Sequence, residues 1–135
     1  MNAYDKLEAH FTKISDLGHV SAIVNWDESA MMPVGGGAAR SRAMATLNVI
    51  THDLVVAPEV GALLAACSEL ELSDWQQANV RIIQRNFDRA GCLTSDFVRD
   101  QTEAAMASEQ AWRVSRAQND WPTMMPLLKR VVSLA

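Results

Sequence analysis

Residues that break helices are confined to a few short segments of this chain. All of its prolines and glycines lie at Gly18, 33–37, Pro58, Gly61, Gly91, Pro122 and Pro126. The long stretches 62–90 and 92–121 contain neither residue, and helix-forming Ala, Leu, Met, Gln, Glu and Arg are frequent in them. β-Branched residues are scattered, without the strict alternation that is typical of strands. The pattern predicts an all-α protein.

Apolar spacing and turn signals predict about six antiparallel helices joined by short connections. We expect them at about 3–32, 38–56, 58–67, 74–90, 95–118 and 121–134. Asn2 is a good N-cap for the first helix, and Asp5 lies in its first turn, where the helix dipole favours an anion. Ser73 and Gln76 have the spacing of a capping box at the fourth helix. Asp120 should cap the sixth helix.

The charge balance and the lack of sorting signals exclude several classes of protein. Twelve basic and sixteen acidic residues give a net charge of −4, which argues against a nucleic-acid partner. Apolar runs are far shorter than the roughly 18 residues that cross a bilayer, so no membrane partner is expected. The first residues lack the basic and apolar regions of a secretory signal. Cys67 and Cys92 fit a reducing compartment as small buried hydrophobes, and we predict a cytoplasmic protein.

The last residues remain apolar and helical up to the end of the chain. Residues 127–135 contain no Gly, Asn or Pro that would end a helix, whereas natural carboxyl termini usually end in polar residues. We therefore predict that 1–135 is a single helical domain with a hinge near 33–37. We also predict that it is truncated at its carboxyl end, within a larger fold.

Residues that could carry metal or nucleophilic chemistry form no recognisable motif. His10, His19 and His52 lack the i, i+4 spacing of a zinc site, and no His-Glu-x-x-His occurs. The triple glycine at 35–37 lacks the sequence context of a phosphate-binding loop. We predict no catalytic residue, no metal ligand and no cofactor in this chain. A weaker alternative hypothesis is that the chain hydrolyses peptides by means of a metal ion bound to one of the three histidines.

One row of basic residues lies on the predicted fourth helix. Arg81, Arg85 and Arg89 are one helical turn apart and could contact an anion or a carboxylate. Local pairing with Asp88 and neighbouring acids on a solvated face is the favoured interpretation, because such exposed pairs are common.

A distinctive segment lies at the end of the first helix, where residues 25–33 read Asn-Trp-Asp-Glu-Ser-Ala-Met-Met-Pro. From residue types alone, the large apolar residues of this segment should pack the corner between the helix and the following loop. Asp27 would then be a polar surface residue or would cap a neighbouring backbone. All four tryptophans of the chain are predicted to anchor the core: Trp26, Trp75, Trp112 and Trp121.

In this segment the sequence resembles the amino-terminal region of the carboxypeptidase Taq family of zinc metallocarboxypeptidases. The most specific matching positions are interpreted as structural or cleft-lining: Trp26, Asp27, Met31, Met32 and Pro33. Other matching stretches are 17–19, 58–64, 79–81, 111–112 and 119–121. At 28–30 this chain has Glu-Ser-Ala where the family often has Gln-Glu-Thr.

The resemblance implies a place within an all-helical, cleft-type metallopeptidase that is usually a cytoplasmic homodimer. In such enzymes the amino-terminal helices form a wall or lid over the substrate groove. Zinc is held by a His-Glu-x-x-His helix and a later glutamate, and the glutamate of that motif activates the water. None of those zinc-site motifs occurs in this sequence.

Two functional hypotheses follow from the resemblance. In the first, this is the wall or lid domain without the zinc-binding catalytic part. It would be inactive alone, and it would form homo-oligomers through exposed apolar helix faces or bind the missing catalytic domain. The candidate interfaces are residues 124–134 and the apolar stripe of the first helix, which comprises Tyr4, Leu7, Phe11, Ile14, Leu17, Val20 and Val24. In the second, the chain is a stand-alone helical protein-interaction module derived from that family. A reading frame that continues into His-Glu-x-x-His favours the first, and a stop codon after Ala135 in several species favours the second.

Overall fold

A computed structural model describes residues 1–134, and within that range the chain is α-helical without strands. The helices are α1 (Ala3–Ala30), α2 (Gly37–Val55), α3 (Pro58–Cys67), α4 (Asp74–Ala90), α5 (Ser95–Gln118) and α6 (Trp121–Ser133). The all-α prediction is confirmed, and most helix ends lie within a residue or two of their expected positions. Ala135, part of the apolar terminal stretch, lies outside the described residues.

The predicted helix caps form by local hydrogen bonds. The Asn2 and Asp5 side chains each accept from the backbone N–H of the other residue, at 2.9 and 2.8 Å. Ser73 and Gln76 form the expected capping box at α4. The Asp120 carboxylate accepts from the backbone N–H of Thr123 at 3.2 Å. Hydrogen bonds from the Thr123 side chain and backbone lower the pKa of Asp120.

The chain divides into two compact units. Unit 1 comprises Met1–Val20 and Ile50–Thr94, and unit 2 comprises Ser21–Val49 and Ser95–Ala135. The boundaries fall inside α1, inside α2 and just before α5. The expected hinge near 33–37 lies within unit 2, and the single-domain organisation stays a prediction.

The core of unit 1 lies between the start of α1 and helix α3. Its buried residues are Tyr4, Leu7, Val60, Leu64 and Cys67. Partly buried apolar residues of α4 pack against this cluster, so α4 contributes a face to the core without burying any residue fully. Burial raises the pKa of the Cys67 thiol. Both cysteines were predicted to be buried. This is confirmed for Cys67 and wrong for Cys92, which is exposed.

The buried apolar residues of unit 2 lie on α2, α5 and α6: Met44, Ala45, Ala104, Met106 and Met124. Buried Ser108 and Ser115 also lie on α5. Small side chains at these positions let α6 approach α5 closely.

The prediction that the tryptophans anchor the core was wrong. Trp26, Trp75, Trp112 and Trp121 are 62%, 75%, 52% and 58% exposed. The periodic pattern places each on a helix, but it does not specify which protein surface covers that helix face.

One stretch of residues 1–134, Gly37–Cys67, is long and apolar enough to cross a bilayer by length and composition alone. Its most apolar window is 17% buried. The stretch contains Asp53 and Glu59, and a break before Pro58 separates α2 from α3. Charges and a broken backbone hydrogen-bond ladder are both costly in hydrocarbon. That the protein has no membrane partner stays a prediction.

Candidate functional site at the end of α1

The candidate site is the last turn of α1 and the turn that follows it, all within unit 2. The Asp27 carboxylate receives two contacts from one guanidinium, because Nε and Nη2 of Arg40 both lie 2.7 Å from Oδ2. Both side chains are partly exposed, so solvent weakens the pair to about 1 kcal/mol or less. The contact joins the end of α1 to the first turn of α2. The sequence indicated a polar surface or capping role for Asp27 and did not predict Arg40 as its partner.

Glu28 is the least expected residue of the site, because it is a carboxylate that is only 3% exposed. Its Oε1 accepts a hydrogen bond from Nε2 of Gln110, and its backbone carbonyl accepts from Nη1 of Arg113 at 2.9 Å. Nη2 of Arg113 in turn pairs with Glu109 at 2.8 Å. Together these contacts attach the end of α1 to α5. Among residues 1–134, the Glu28 side chain is held by an amide and has no ion pair of 4 Å or less.

A sequence signal for the burial of Glu28 exists. The apolar stripe of α1 passes through Leu17 and Val24, and Glu28 lies four residues after Val24 on the same face. Residue type alone favours an exposed glutamate. The helical register was therefore the better guide to its position.

The turn after α1 is tight and depends on glycine. Gly35 has a φ of +94°, which a side chain would strain, and the Gly36 N–H donates to the Pro33 carbonyl at 3.0 Å. A Cβ on Gly36 would lie 2.8 Å from Cγ of Met32. Met32 is thus packed into the turn, whereas Trp26 and Met31 are exposed on its outer surface.

The three histidines do not meet in a metal site. His10 is buried, and both of its ring nitrogens contact oxygens: Nε2 lies 2.8 Å from the Leu54 carbonyl, and Nδ1 lies 3.0 Å from Glu59 Oε1. His19 is exposed and His52 is buried. Residues 1–134 contain no group of three His, Cys, Asp or Glu side chains placed to hold a metal ion. A catalytic zinc needs three protein ligands, so the donors present do not fit one.

Comparison with known proteins identifies the family. The sequence pattern of the family described as Carboxypeptidase Taq (M32) metallopeptidase matches residues 6–135. The chain belongs to this family. Thermostable carboxypeptidase 1 of Pyrococcus furiosus is 30% identical over 128 residues, which are 94% of this chain and 26% of that protein.

Solved structures agree with this assignment. A structure of Pyrococcus furiosus carboxypeptidase matches with a TM-score of 0.76 and 27% identity, covering 99% of this chain and 27% of that one. Metallocarboxypeptidase 1 of Trypanosoma cruzi matches with a TM-score of 0.74 and 34% identity, covering 98% and 27%. The chain thus spans about a quarter of the length of the carboxypeptidases that it matches, within their amino-terminal part. Both the predicted family and the predicted place in a larger helical fold are confirmed.

Proposed function

We propose that this chain forms the amino-terminal helical wall or lid of the substrate cleft in a carboxypeptidase Taq-type metallocarboxypeptidase. The observation that carries the proposal is the match of nearly the whole chain to only the amino-terminal quarter of such enzymes. Zinc in this family would polarise the substrate and activate water. The residues that hold it would come from another part of the enzyme.

The geometry of the candidate site supports a wall rather than a catalytic centre. Asp27 and Glu28 are occupied by contacts to α2 and α5, which hold the end of α1 in place. Trp26 and Met31 are left on the outer surface of the corner, free to contact a peptide or a facing helix. We propose that these two side chains line the cleft. Alone, the chain should hydrolyse no peptide bond.

Exposed apolar faces support a role in association. On α6, a stripe at helical spacing is exposed: Trp121, Met125, Leu128 and Val132. The first-helix stripe was wrongly predicted as an exposed interface, because Tyr4 and Leu7 are buried in the core of unit 1. On the unit 2 part of α1, Ile23 and Trp26 form a second exposed pair instead. Contiguous apolar patches of this kind usually mark an interface. We propose that a second copy covers both faces in the isolated chain. In a cytoplasmic enzyme, we propose that a catalytic part covers the α6 stripe and faces the α1 pair across the cleft.

Sedimentation velocity over a concentration series tests this association. We expect a dimer or larger species at about 100 μM, because removing exposed apolar surface from water favours association. Val132→Ser should shift the distribution toward monomer. Val34→Ser is the matched control, because Val34 is exposed but lies in the turn, away from the α6 stripe. A clean monomer that binds no hydrophobic dye would contradict the proposal.

A further inference from the structure

Unit 1 contains an open groove between the carboxyl end of α3 and helix α4. Its volume is about 760 Å³, within the range of roughly 300–1,000 Å³ that is typical of ligand sites. The apolar lining is contributed by α3, by the connection that follows it and by α4: Leu64, Leu70, Leu72 and Val80. None of these residues takes part in the candidate site at the end of α1.

One wall of the groove is basic. Arg81, Arg85 and Arg89 all line it, and all three are exposed. The prediction that they pair with local acids was wrong: within residues 1–134 they make no salt bridge or side-chain hydrogen bond. Oδ1 of Asp88 instead accepts from Nε2 of Gln84 at 2.7 Å.

The charge of the groove is opposite to that of the chain. Its lining has three arginines against one aspartate, a net charge of +2, whereas the whole chain carries −4. Unpaired guanidinium groups bind carboxylates strongly, often through two parallel hydrogen bonds. Charge complementarity therefore requires an acidic ligand. The apolar lining formed by Leu64, Leu70, Leu72 and Val80, here called the floor, requires a ligand that also carries aliphatic side chains.

We propose that this groove binds an amphipathic helix with acidic side chains one turn apart. The three arginines rise about 6 Å from one to the next, since four helical residues advance about 1.5 Å each. Glutamates at i, i+4 and i+8 of a partner helix have the same spacing. Leucines beside them would enter the floor, which is the helix-in-groove mode of recognition. A free phosphate or a nucleic-acid backbone would use the charges and leave the floor uncovered.

Fluorescence anisotropy with a synthetic helical peptide tests the proposal. The probe carries glutamate at three positions one turn apart and leucine on the adjacent positions. We expect saturable binding to the whole chain, weakened at least about tenfold by Arg81→Gln/Arg85→Gln/Arg89→Gln, because three charge-assisted contacts are lost. The arginines are exposed, so the variant should fold, and circular dichroism verifies this. Arg99→Gln is the matched control, since Arg99 is exposed but pairs with Asp96 on α5.

Two further peptides separate the contributions of charge and floor. Replacing the glutamates with glutamine, or the leucines with serine, should each weaken binding at least about fivefold, because the first peptide leaves the arginines unmatched and the second leaves the apolar lining uncovered. The proposal is overturned if the triple variant binds as tightly as the wild type. It is also overturned if the serine peptide binds unchanged, or if millimolar inorganic phosphate displaces the probe completely, since the groove would then be an anion site only.

Discussion

Leu7→Ala should lower the free energy of unfolding by about 3 kcal/mol, the middle of the range for a fully buried leucine. Leu7 is 0% exposed and belongs to the core that α1 forms with α3. Alanine is an excellent helix former, so the loss reflects removed packing and a cavity rather than a weaker helix. Urea unfolding followed by circular dichroism at 222 nm measures the change.

Leu93→Ala is the matched control for this experiment. The same atoms are removed, but Leu93 is 42% exposed and lies in the turn before α5. We expect a loss of about 0.5 kcal/mol or less. Equal losses for the two variants would mean that α1 and α3 do not form the core described for unit 1.

His10→Ala should lower the free energy of unfolding by about 2 kcal/mol, because it leaves a backbone acceptor without a partner. In a continuous helix, the Leu54 carbonyl would accept from the N–H of residue 58, but Pro58 has none. Nε2 of His10 lies 2.8 Å from that carbonyl and takes the place of the missing donor. The contact with Glu59 is lost in the same variant.

A double substitution tests that explanation. Pro58→Ala restores an N–H four residues after Leu54 and removes the restriction that proline places on Ala57. The loss caused by His10→Ala should therefore be smaller in the Pro58→Ala background, by about 1 kcal/mol in a double-mutant cycle. Strictly additive losses would show that His10 stabilises unit 1 by packing alone.

Helix ends were predictable because their causes are local. Asn2, Ser73 and Asp120 bond to groups no more than three residues away, and the spacing of such pairs is visible in the sequence. The resemblance likewise pointed to the segment from Trp26 to Pro33 through an ordered set of uncommon residues.

The partners of Glu28 in the candidate site and of His10 in unit 1 were not predictable for the opposite reason. Glu28 and Gln110 are 82 residues apart, and His10 and Leu54 are 44 apart. Such contacts depend on how helices pack, which periodicity does not specify. The prediction that Trp112 is buried was wrong for the same reason. An apolar position on a helix indicates that some protein surface should cover it, but the sequence pattern does not specify which surface.

The most direct test of the central claim is zinc-dependent release of the carboxyl-terminal amino acid from a peptide by the purified chain. The full-length Pyrococcus furiosus carboxypeptidase serves as the positive control under the same conditions. The predicted result is no release above the blank at any zinc concentration, because residues 1–134 hold no three-ligand site. Release that is lost on chelation, restored by zinc and abolished by replacing His10, His19 or His52 would contradict the account.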